Sequence, residues 1–182
     1  LQRLEQEIQL IACHLDPAQK VEQLHFGGGT PTFLSHDELR QLMAHLRKHF
    51  NLLDDDSGDY GIEIDPREAD WSTMGLLREL GFNRVSIGLQ DLDPAVQRAV
   101  NRLQSLEETR AVIDAARTLQ FRSINIDLIY GLPRQTPENF ARTVEEVINL
   151  QPDRLSVFNY AHLPERFMPQ RRINSSELPS PA

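Results

Sequence analysis

The sequence predicts an α/β protein built on a parallel sheet, and two observations carry the prediction. Short apolar runs alternate with helical patterns along the chain, and each run ends in glycine or polar residues. That order implies right-handed crossovers and a parallel sheet, whether as a closed barrel, an open sheet or an incomplete barrel. Parallel strand ends share one edge, so residues scattered through the chain converge there on a single pocket.

Five runs define the strands: HFGGGTP at His25 to Pro31, IEIDP at Ile62 to Pro66, SIGLQD at Ser86 to Asp91, NIDLIYGLP at Asn125 to Pro133 and SVFNYAHLP at Ser156 to Pro164. Helices fill the gaps. Leu4, Ile8, Ile11 and Leu15 recur at helical spacing before the first run, and Ser35 is the N-cap of HDELRQLMAHLRKHF. TMGLLREL runs up to Gly81, a C-terminal cap, and SLEETRAVIDAARTL leads into the fourth strand. Thr136 caps TPENFARTVEEVINL with Pro137 in its first turn, and that helix stops before the turn Gln151-Pro152-Asp153. A βα repeat normally begins with a strand, so this chain is expected to start one strand late. Its last part, PERFMPQRRINSSELPSPA, is aperiodic and rich in proline, serine and charge, and reads as a loop or linker. The expected division is a core over 1–164 and a linker over 165–182.

The chain has 182 residues, enough for one domain with its own core, whereas a complete β/α barrel takes about 250. With 40% hydrophobic and 25% charged residues it has the composition of a globular protein. A net charge of -8 argues against a nucleic-acid surface and against an anionic membrane as partner. No apolar run approaches the roughly 20 residues of a membrane span and no secretory signal opens the chain, so a cytoplasmic location is expected. The single cysteine, Cys13, falls in the helical stretch LEQEIQLIACHL, where it is expected to face the core. One Cys-His step offers neither the number nor the spacing of metal ligands.

The strand ends carry the chemistry. Gly27, Gly28 and Gly29, followed by Thr30 and Pro31, let backbone amides and carbonyls approach a ligand; the same pattern also fits a tight strand-to-helix turn. A phosphate loop is not indicated, because the G-x-x-x-x-G-K-[ST] lysine and the G-x-G-x-x-G spacing are absent. Glu63 and Asp65 alternate with Ile62 and Ile64 and so share a face, where they accept hydrogen bonds from an amine or a ribose or stand as solvated edge acids. Asp127 sits likewise between Ile126 and Leu128. Gln90 offers a neutral amide at the end of the third run. Arg102 follows on the next helix or turn and can pair a carboxylate through two nitrogens.

HFGGGTPTFL, IEIDPRE, GFNRVSIGLQDLDPAVQRAVNR, NIDLIYGLPRQTPENF and PDRLSVFNYAHLP together resemble the oxygen-independent coproporphyrinogen III oxidases, radical S-adenosylmethionine (SAM) enzymes of heme synthesis. The likeness runs from Val21 to Ala182. GGGTP alone points to the superfamily, whereas LQD and FNYAHLP together point to the oxidase. The resemblance implies an incomplete parallel β/α barrel of the radical SAM type, lacking the first strand and the C-terminal helical domain. It implies SAM and a 4Fe-4S cluster as cofactors, the cluster held by a C-x3-C-x2-C loop that this chain does not contain. Cys13 cannot replace three thiolates.

The implied reaction is oxidative decarboxylation of two propionates of coproporphyrinogen III to the vinyl groups of protoporphyrinogen IX, begun by a 5′-deoxyadenosyl radical from SAM. It belongs to the full-length enzyme, and this stretch alone is expected to be inactive. The matching cofactor-binding positions are Gly28, Gly29, Thr30, Glu63, Gln90, Arg102, Asp127 and Ala161. Thr30 and the glycine backbone are expected to hold the methionine part of SAM. Glu63 and Asp127 would accept from its amine or ribose hydroxyls, and Gln90 and Arg102 would contact a second SAM. The expected partner is a porphyrinogen substrate, with no nucleic acid and no membrane insertion; the electron donor is not identified. A heme-carrying relative without oxidase activity is the alternative, and an unrelated barrel acting on a phosphorylated metabolite is a third reading without a phosphate motif to support it.

Overall fold

The structure, a computed structural model, describes residues 1–180. Its helices begin where short polar side chains satisfy free backbone N–H groups. In α2 (His36–His49) the Ser35 hydroxyl accepts from the Glu38 N–H while the Glu38 carboxylate accepts from the Ser35 N–H, and Ser105 with Glu108 does the same for α5 (Leu106–Thr118). Thr136 and Asn139 form the equivalent box on α6 (Pro137–Asn149), and Asp70 caps α3 (Trp71–Glu79) through the Thr73 N–H. Each such cap contributes about 1 kcal/mol. Gly81, at φ 100°, turns the chain after α3 as a C-terminal glycine does.

Seven strands follow one another: β1 (Lys20–Val21), β2 (Gln23–Phe26), β3 (Asn51–Leu52), β4 (Asp59–Ile64), β5 (Arg84–Gln90), β6 (Ser123–Tyr130) and β7 (Arg154–Asn159). Five form one sheet in the order β2-β4-β5-β6-β7, every pair parallel. Chain order is therefore spatial order, as in the wall of a barrel. Among the described residues β2 and β7 do not pair, so the wall is an arc. β1 and β3 form a separate parallel pair of two residues each, too short for any alternation to be legible in the sequence. Helix α4 (Pro94–Ala99) is another unanticipated element, started by Pro94 and by the Asp93 carboxylate accepting from two N–H groups.

Alternation along the central strands splits the sheet into two faces. Tyr60, Ile62 and Ile64 of β4, Val85, Ile87 and Leu89 of β5, and Ile124, Ile126 and Leu128 of β6 are all buried on one face. They pack with Leu39 and Met43 of α2, Met74 and Leu77 of α3, Val112, Ile113 and Ala116 of α5, and Val147 of α6. Asn83, just before β5, is buried; its amide donates to Asp56 and the Gly58 carbonyl and accepts from the Tyr60 N–H, tying the stretch 56–60 to the start of β5 at the amino-terminal edge.

One expectation, at the first helix, requires correction. Helix α1 (Gln2–Ala12) packs on α2, where Gln41 donates to Glu5, and it buries only Ile8. Leu4, Ile11 and Leu15 are exposed. Cys13, at the C-cap of that helix, is exposed rather than core-facing, because α1 has a neighbour on one side only. No helix among the described residues is long and apolar enough to cross a membrane. After β7 the chain continues in 3-10 turns at Met168–Arg172 and Ser175–Glu177, and Glu177 returns it to the loop after β6 by pairing with Arg134 through two hydrogen bonds. Residues 181 and 182 of the expected linker lie outside the described residues.

Ile87 is fully buried in the central strand, with helices packed on its face. Ile87→Ala is expected to lower the unfolding free energy by about 2–5 kcal/mol, read from the midpoint shift in urea at unchanged slope.

Candidate functional site

The opposite face of the sheet is polar and half-buried, and strand register arranges its side chains in rows. His25, Gly61, Arg84 and Ser123 make one row; Glu63, Ser86, Asn125 and Arg154 make the next; Gly88, Asp127 and Ser156 make a third, nearer the carboxyl edge. A chain of hydrogen bonds joins them. The Ser86 hydroxyl donates to Asp127 Oδ2 at 2.8 Å, Asn125 donates to Asp127 Oδ1 at 2.7 Å, and Ser156 donates to Asn125 Oδ1 at 3.2 Å. Asp127 is thus aimed and only half-buried, with oxygen lone pairs left for a donor from a ligand.

Glu63 stands on the same face two strands away. Its Oε1 lies 3.3 Å from His25 Nε2, and both side chains are largely open. A Cβ on Gly27 would come within 2.8 Å of each of those two atoms, so any side chain there would displace the ends of His25 and Glu63. Gly28 has φ 107°, a region open to glycine and strained for other residues, and no atom lies within 4 Å of where a side chain on Gly28 or Gly29 would begin. The loop is a tight turn that also leaves a cradle. Thr30 follows in extended conformation, its side chain making no capping bond to the turn Pro31–Phe33.

Gln90 is bent out of the strand. Its φ of 69° coincides with the register shift between Gly88 and Gln90 in the β5 to β6 ladder. A left-handed conformation costs a residue with a side chain about 1–2 kcal/mol, and here it re-aims the amide toward Gly88. A Cβ on Gly88 would stand 3.0 Å from Gln90 Nε2 and 3.4 Å from Arg102 Nη2, so the missing side chain makes room for both.

Arg102 lies in the turn after α4. Its Nη1 donates to Asp65 Oδ2 at 2.9 Å and its Nη2 to the Gly88 carbonyl at 2.7 Å, while its buried Nε has no partner. Asp65, one residue beyond the end of β4, is also held by Arg67 through Nε at 3.0 Å and Nη2 at 2.6 Å. Burial pushes the Asp65 carboxyl up, but hydrogen bonds from Arg67 and the charge of Arg102 outweigh it, and the group sits below the ordinary carboxylate value. Burial lowers the Arg102 guanidinium from its usual value against the attraction of Asp65. Glu63 and Asp65, equivalent by alternation in the sequence, therefore have different surroundings: one is open and the other enclosed between two guanidinium groups.

Sequence reasoning gave Asp91 no role. It is 2% exposed, and its carboxylate accepts from the Asp93 N–H at 2.7 Å, the Thr143 hydroxyl at 2.9 Å and Gln135 Nε2 at 2.5 Å. Gln135 in turn accepts from the Gly131 N–H, and Gln97 donates to the Asp91 carbonyl. One buried carboxylate thus joins the loops after β5 and β6 to α4 and α6. The signal available in the sequence was an acid directly after a strand. Its partners lie 44 and 52 residues away, beyond the reach of any local pattern.

Glu63, Gln90, Arg102 and Asp127 converge on the carboxyl-terminal half of the polar face, with Gly28, Gly29 and Thr30 at its β2 edge. Ala161 lies at the other edge, beyond β7, where its carbonyl accepts from Gln170 Nε2 at 3.0 Å. Two hollows flank these residues. One, of about 420 Å3, covers the amino-terminal half of the face and is lined by His25, Arg84, Ser86, Asn125 and Arg154 among others. The other, of about 680 Å3, opens between the ends of β6 and β7 and is lined by Tyr130, Phe140, Tyr160, His162 and Leu178 among others. Among the described residues no three histidine, cysteine or acidic side chains come together as metal ligands.

A parallel sheet in chain order, with a glycine loop at the first strand's end and polar groups on its hollow face, is matched over residues 2–147 by the profile of the Radical SAM superfamily. The chain belongs to the radical SAM superfamily. Its fold is the α/β class expected, a parallel sheet covered by helices on its apolar face. The oxygen-independent coproporphyrinogen III oxidase of Pseudomonas aeruginosa is 76% identical over 181 residues, covering 100% of this chain and 39% of that protein. The enzyme of that name from Escherichia coli is 51% identical over 181 residues, again 100% and 39%. A solved structure of coproporphyrinogen III oxidase from Escherichia coli superposes with a TM-score of 0.92 at 50% identity, covering 98% of this chain and 40% of that one. The chain therefore spans about two-fifths of the length of these relatives.

The Asp65 cluster sets a pH dependence for this superfamily member. A carboxylate whose folded pKa is depressed contributes stability that is present above its unfolded pKa, about 3.9, and is lost as pH falls through the folded value. Asp65→Asn leaves two guanidinium groups without their shared acceptor. It is expected to cost about 3–5 kcal/mol at pH 7, with the gap to wild type closing below about pH 4 in urea titrations.

Proposed function

We propose that the chain is part of the catalytic core of an oxygen-independent coproporphyrinogen III oxidase. The observation that carries this reading is 76% identity to an enzyme of that name over the whole chain, with Gly28, Gly29, Thr30, Glu63, Gln90, Arg102 and Asp127 gathered on one polar face. The reaction converts two propionates of coproporphyrinogen III to vinyl groups. In each, a hydrogen atom passes from the carbon next to the ring to the radical that SAM supplies, the bond to the carboxylate breaks, and carbon dioxide leaves with one electron passing to an external electron acceptor.

SAM is the group that fits the residues present, and its cleavage supplies the hydrogen-abstracting radical. The glycine loop offers open backbone for an amino-acid end, and the Thr30 hydroxyl is uncommitted to a cap. Glu63 and the oriented Asp127 are acceptors for an ammonium or ribose hydroxyls. Gln90, held in its strained turn, presents an amide to a second SAM. Arg102 would face that molecule's carboxylate with the N–H groups that its outer nitrogens do not spend on Asp65 and the Gly88 carbonyl, its Nε being buried. Ala161 lines the far edge. An iron-sulfur cluster does not fit the residues of this chain, since Cys13 is the only cysteine and is exposed at the end of α1. The reading divides the chain into a core over 1–164 and a connecting segment over 165–182. It makes a porphyrinogen the partner, involves neither nucleic acid nor membrane insertion, and assigns the cytoplasm, where a protein with one unpaired cysteine is at home.

Anaerobic reconstitution of this chain with iron and sulfide is expected to leave no stoichiometric 4Fe-4S cluster by metal and sulfide analysis; finding one would overturn that part of the reading. The reading as a whole is tested by anaerobic formation of protoporphyrinogen IX in a full-length protein containing this chain, and absence of product would defeat it. In that protein Arg102→Ala is expected to weaken SAM binding or turnover at least tenfold, as truncating a partly buried charge partner costs about 2–5 kcal/mol. Arg102→Lys restores only part, because an ammonium cannot reproduce the guanidinium fork. Unchanged values in Arg102→Ala would remove the residue from the site.

A further inference from the structure

The polar face has a floor as well as a rim, and the floor is cationic in a chain whose net charge is -8. Arg84 and Arg154 line the 420 Å3 hollow with Asp59 as the only acid, two positive charges against one negative. Arg84 donates to Asp59 Oδ1 at 3.1 Å, and that same carboxylate oxygen also lies 4.0 Å from Arg122. Arg154 has no ion pair and no side-chain hydrogen bond among the described residues. The carboxylate nearest to it by register is Asp127, on the adjacent strand and one row up, and both of its oxygens are turned to Ser86 and Asn125.

Register fixes where these cations stand. Arg84 and Arg154 are two strands and one row apart, which at the usual strand spacing and rise is about 12 Å. Arg84 and Gly88 are four residues apart on β5, so the Arg84 row lies about 13 Å below the row where Gln90 and Arg102 meet over Gly88. Arg154 stands in the row of Ser86 and Asn125, one row above Arg84, and Ser156 stands one row higher still; these hydroxyl and amide groups bear no charge. Acceptors at the rim and guanidinium groups at the floor suit a ligand that is worked on at one end and held by carboxylates at the other.

We infer that Arg154 and Arg84 form a carboxylate-binding floor that holds the propionates of the substrate that are not converted, and so determines which face and end of the macrocycle reaches the rim. The inference rests on the oxidase reading for the identity of the ligand. Coproporphyrinogen III is a tetracarboxylate of which two carboxylates persist in the product, so unreacted carboxylates remain as handles by which the protein can hold the macrocycle. The two residues bind substrate through charge-assisted hydrogen bonds and take no part in bond breaking. Arg154 also opens an edge strand, where a charge of any shape would serve to discourage edge pairing. A guanidinium that recognises carboxylates is distinguishable from such a charge, because lysine replaces the second function and not the first.

The test uses coproporphyrin III, the stable oxidised tetracarboxylate, titrated against a full-length protein containing this chain and followed by porphyrin fluorescence, with SAM affinity measured in parallel. Arg154→Gln and Arg84→Gln are each expected to weaken porphyrin binding tenfold or more and to leave SAM affinity unchanged, and Arg154→Lys to recover only part. Arg154 has no side-chain partner among the described residues, so its variant is expected to keep the wild-type melting temperature. Equal porphyrin affinity in wild type and Arg154→Gln, or full recovery by lysine, overturns the inference. Loss of SAM affinity with unchanged porphyrin affinity reassigns the floor to the carboxylate of SAM and overturns it too. Wild-type protein that forms no protoporphyrinogen IX defeats the oxidase reading instead, an outcome separate from the binding comparison.

Discussion

The in-register pairing of β4, β5 and β6 is the constraint on which the rest of the molecule depends. Ile62, Val85 and Ile124 stand side by side, as do Ile64, Ile87 and Ile126, and every one of these is buried against the helices. The residues between them, Glu63 with Ser86 and Asn125, are thereby forced together on the other face. A slip of one residue in any of these strands would exchange the two sets, exposing isoleucines and burying a carboxylate. Burial of apolar side chains thus specifies the polar face without any contact on that face contributing to the choice. The hydrogen bonds from Ser86 and Asn125 to Asp127 refine an arrangement already imposed from behind the sheet.

At the carboxyl edge the controlling elements are two buried acids that are compensated differently. Asp65 is held by two guanidinium groups and carries Arg102 into position over Gly88. Asp91 is satisfied by neutral donors, a backbone N–H, a hydroxyl and an amide, and joins the loops that follow β5 and β6. Gln90 lies between the two on the chain in a left-handed conformation. A strained residue flanked by well-bonded ones is what a preformed ligand site requires, because the surroundings over-determine its geometry. Leaving either acid without its donors would be costly, which gives the rim its rigidity.

Alternation and caps made much of the fold legible. Ser35, Ser105 and Thr136 each precede a box partner three residues on, and the runs around Ile62, Ile87 and Ile126 carry a period of two. The two-residue strands β1 and β3 and the six-residue α4 are shorter than either period needs to repeat, so nothing local announced them. The stripe Leu4, Ile8 and Ile11 was correctly helical in spacing, with Leu15 falling just past the helix end, but periodicity reports which residues share a face and not what covers that face. The same limitation left Cys13 on the wrong side of its helix.

For the site, the sequence by itself determined which chemical groups stand at strand ends, since strand periodicity and the glycine loop are local properties of the chain. Glu63, Gln90 and Asp127 were accessible in that way, Arg102 as the arginine that follows the third run, and residue-by-residue likeness to a family added Ala161. Only the tertiary structure decided that Glu63 stays open while Asp65 is enclosed by Arg67 and Arg102, that Gly88 is vacant to admit Arg102 and Gln90, that Asp91 binds partners from two distant segments, and that Arg84 and Arg154 share a floor with Arg154 unpaired. The physical reason is that charge compensation and close approach are properties of neighbours in space. In a parallel sheet those neighbours are brought together by helical crossovers, and no pattern within one strand records which residue will stand opposite it.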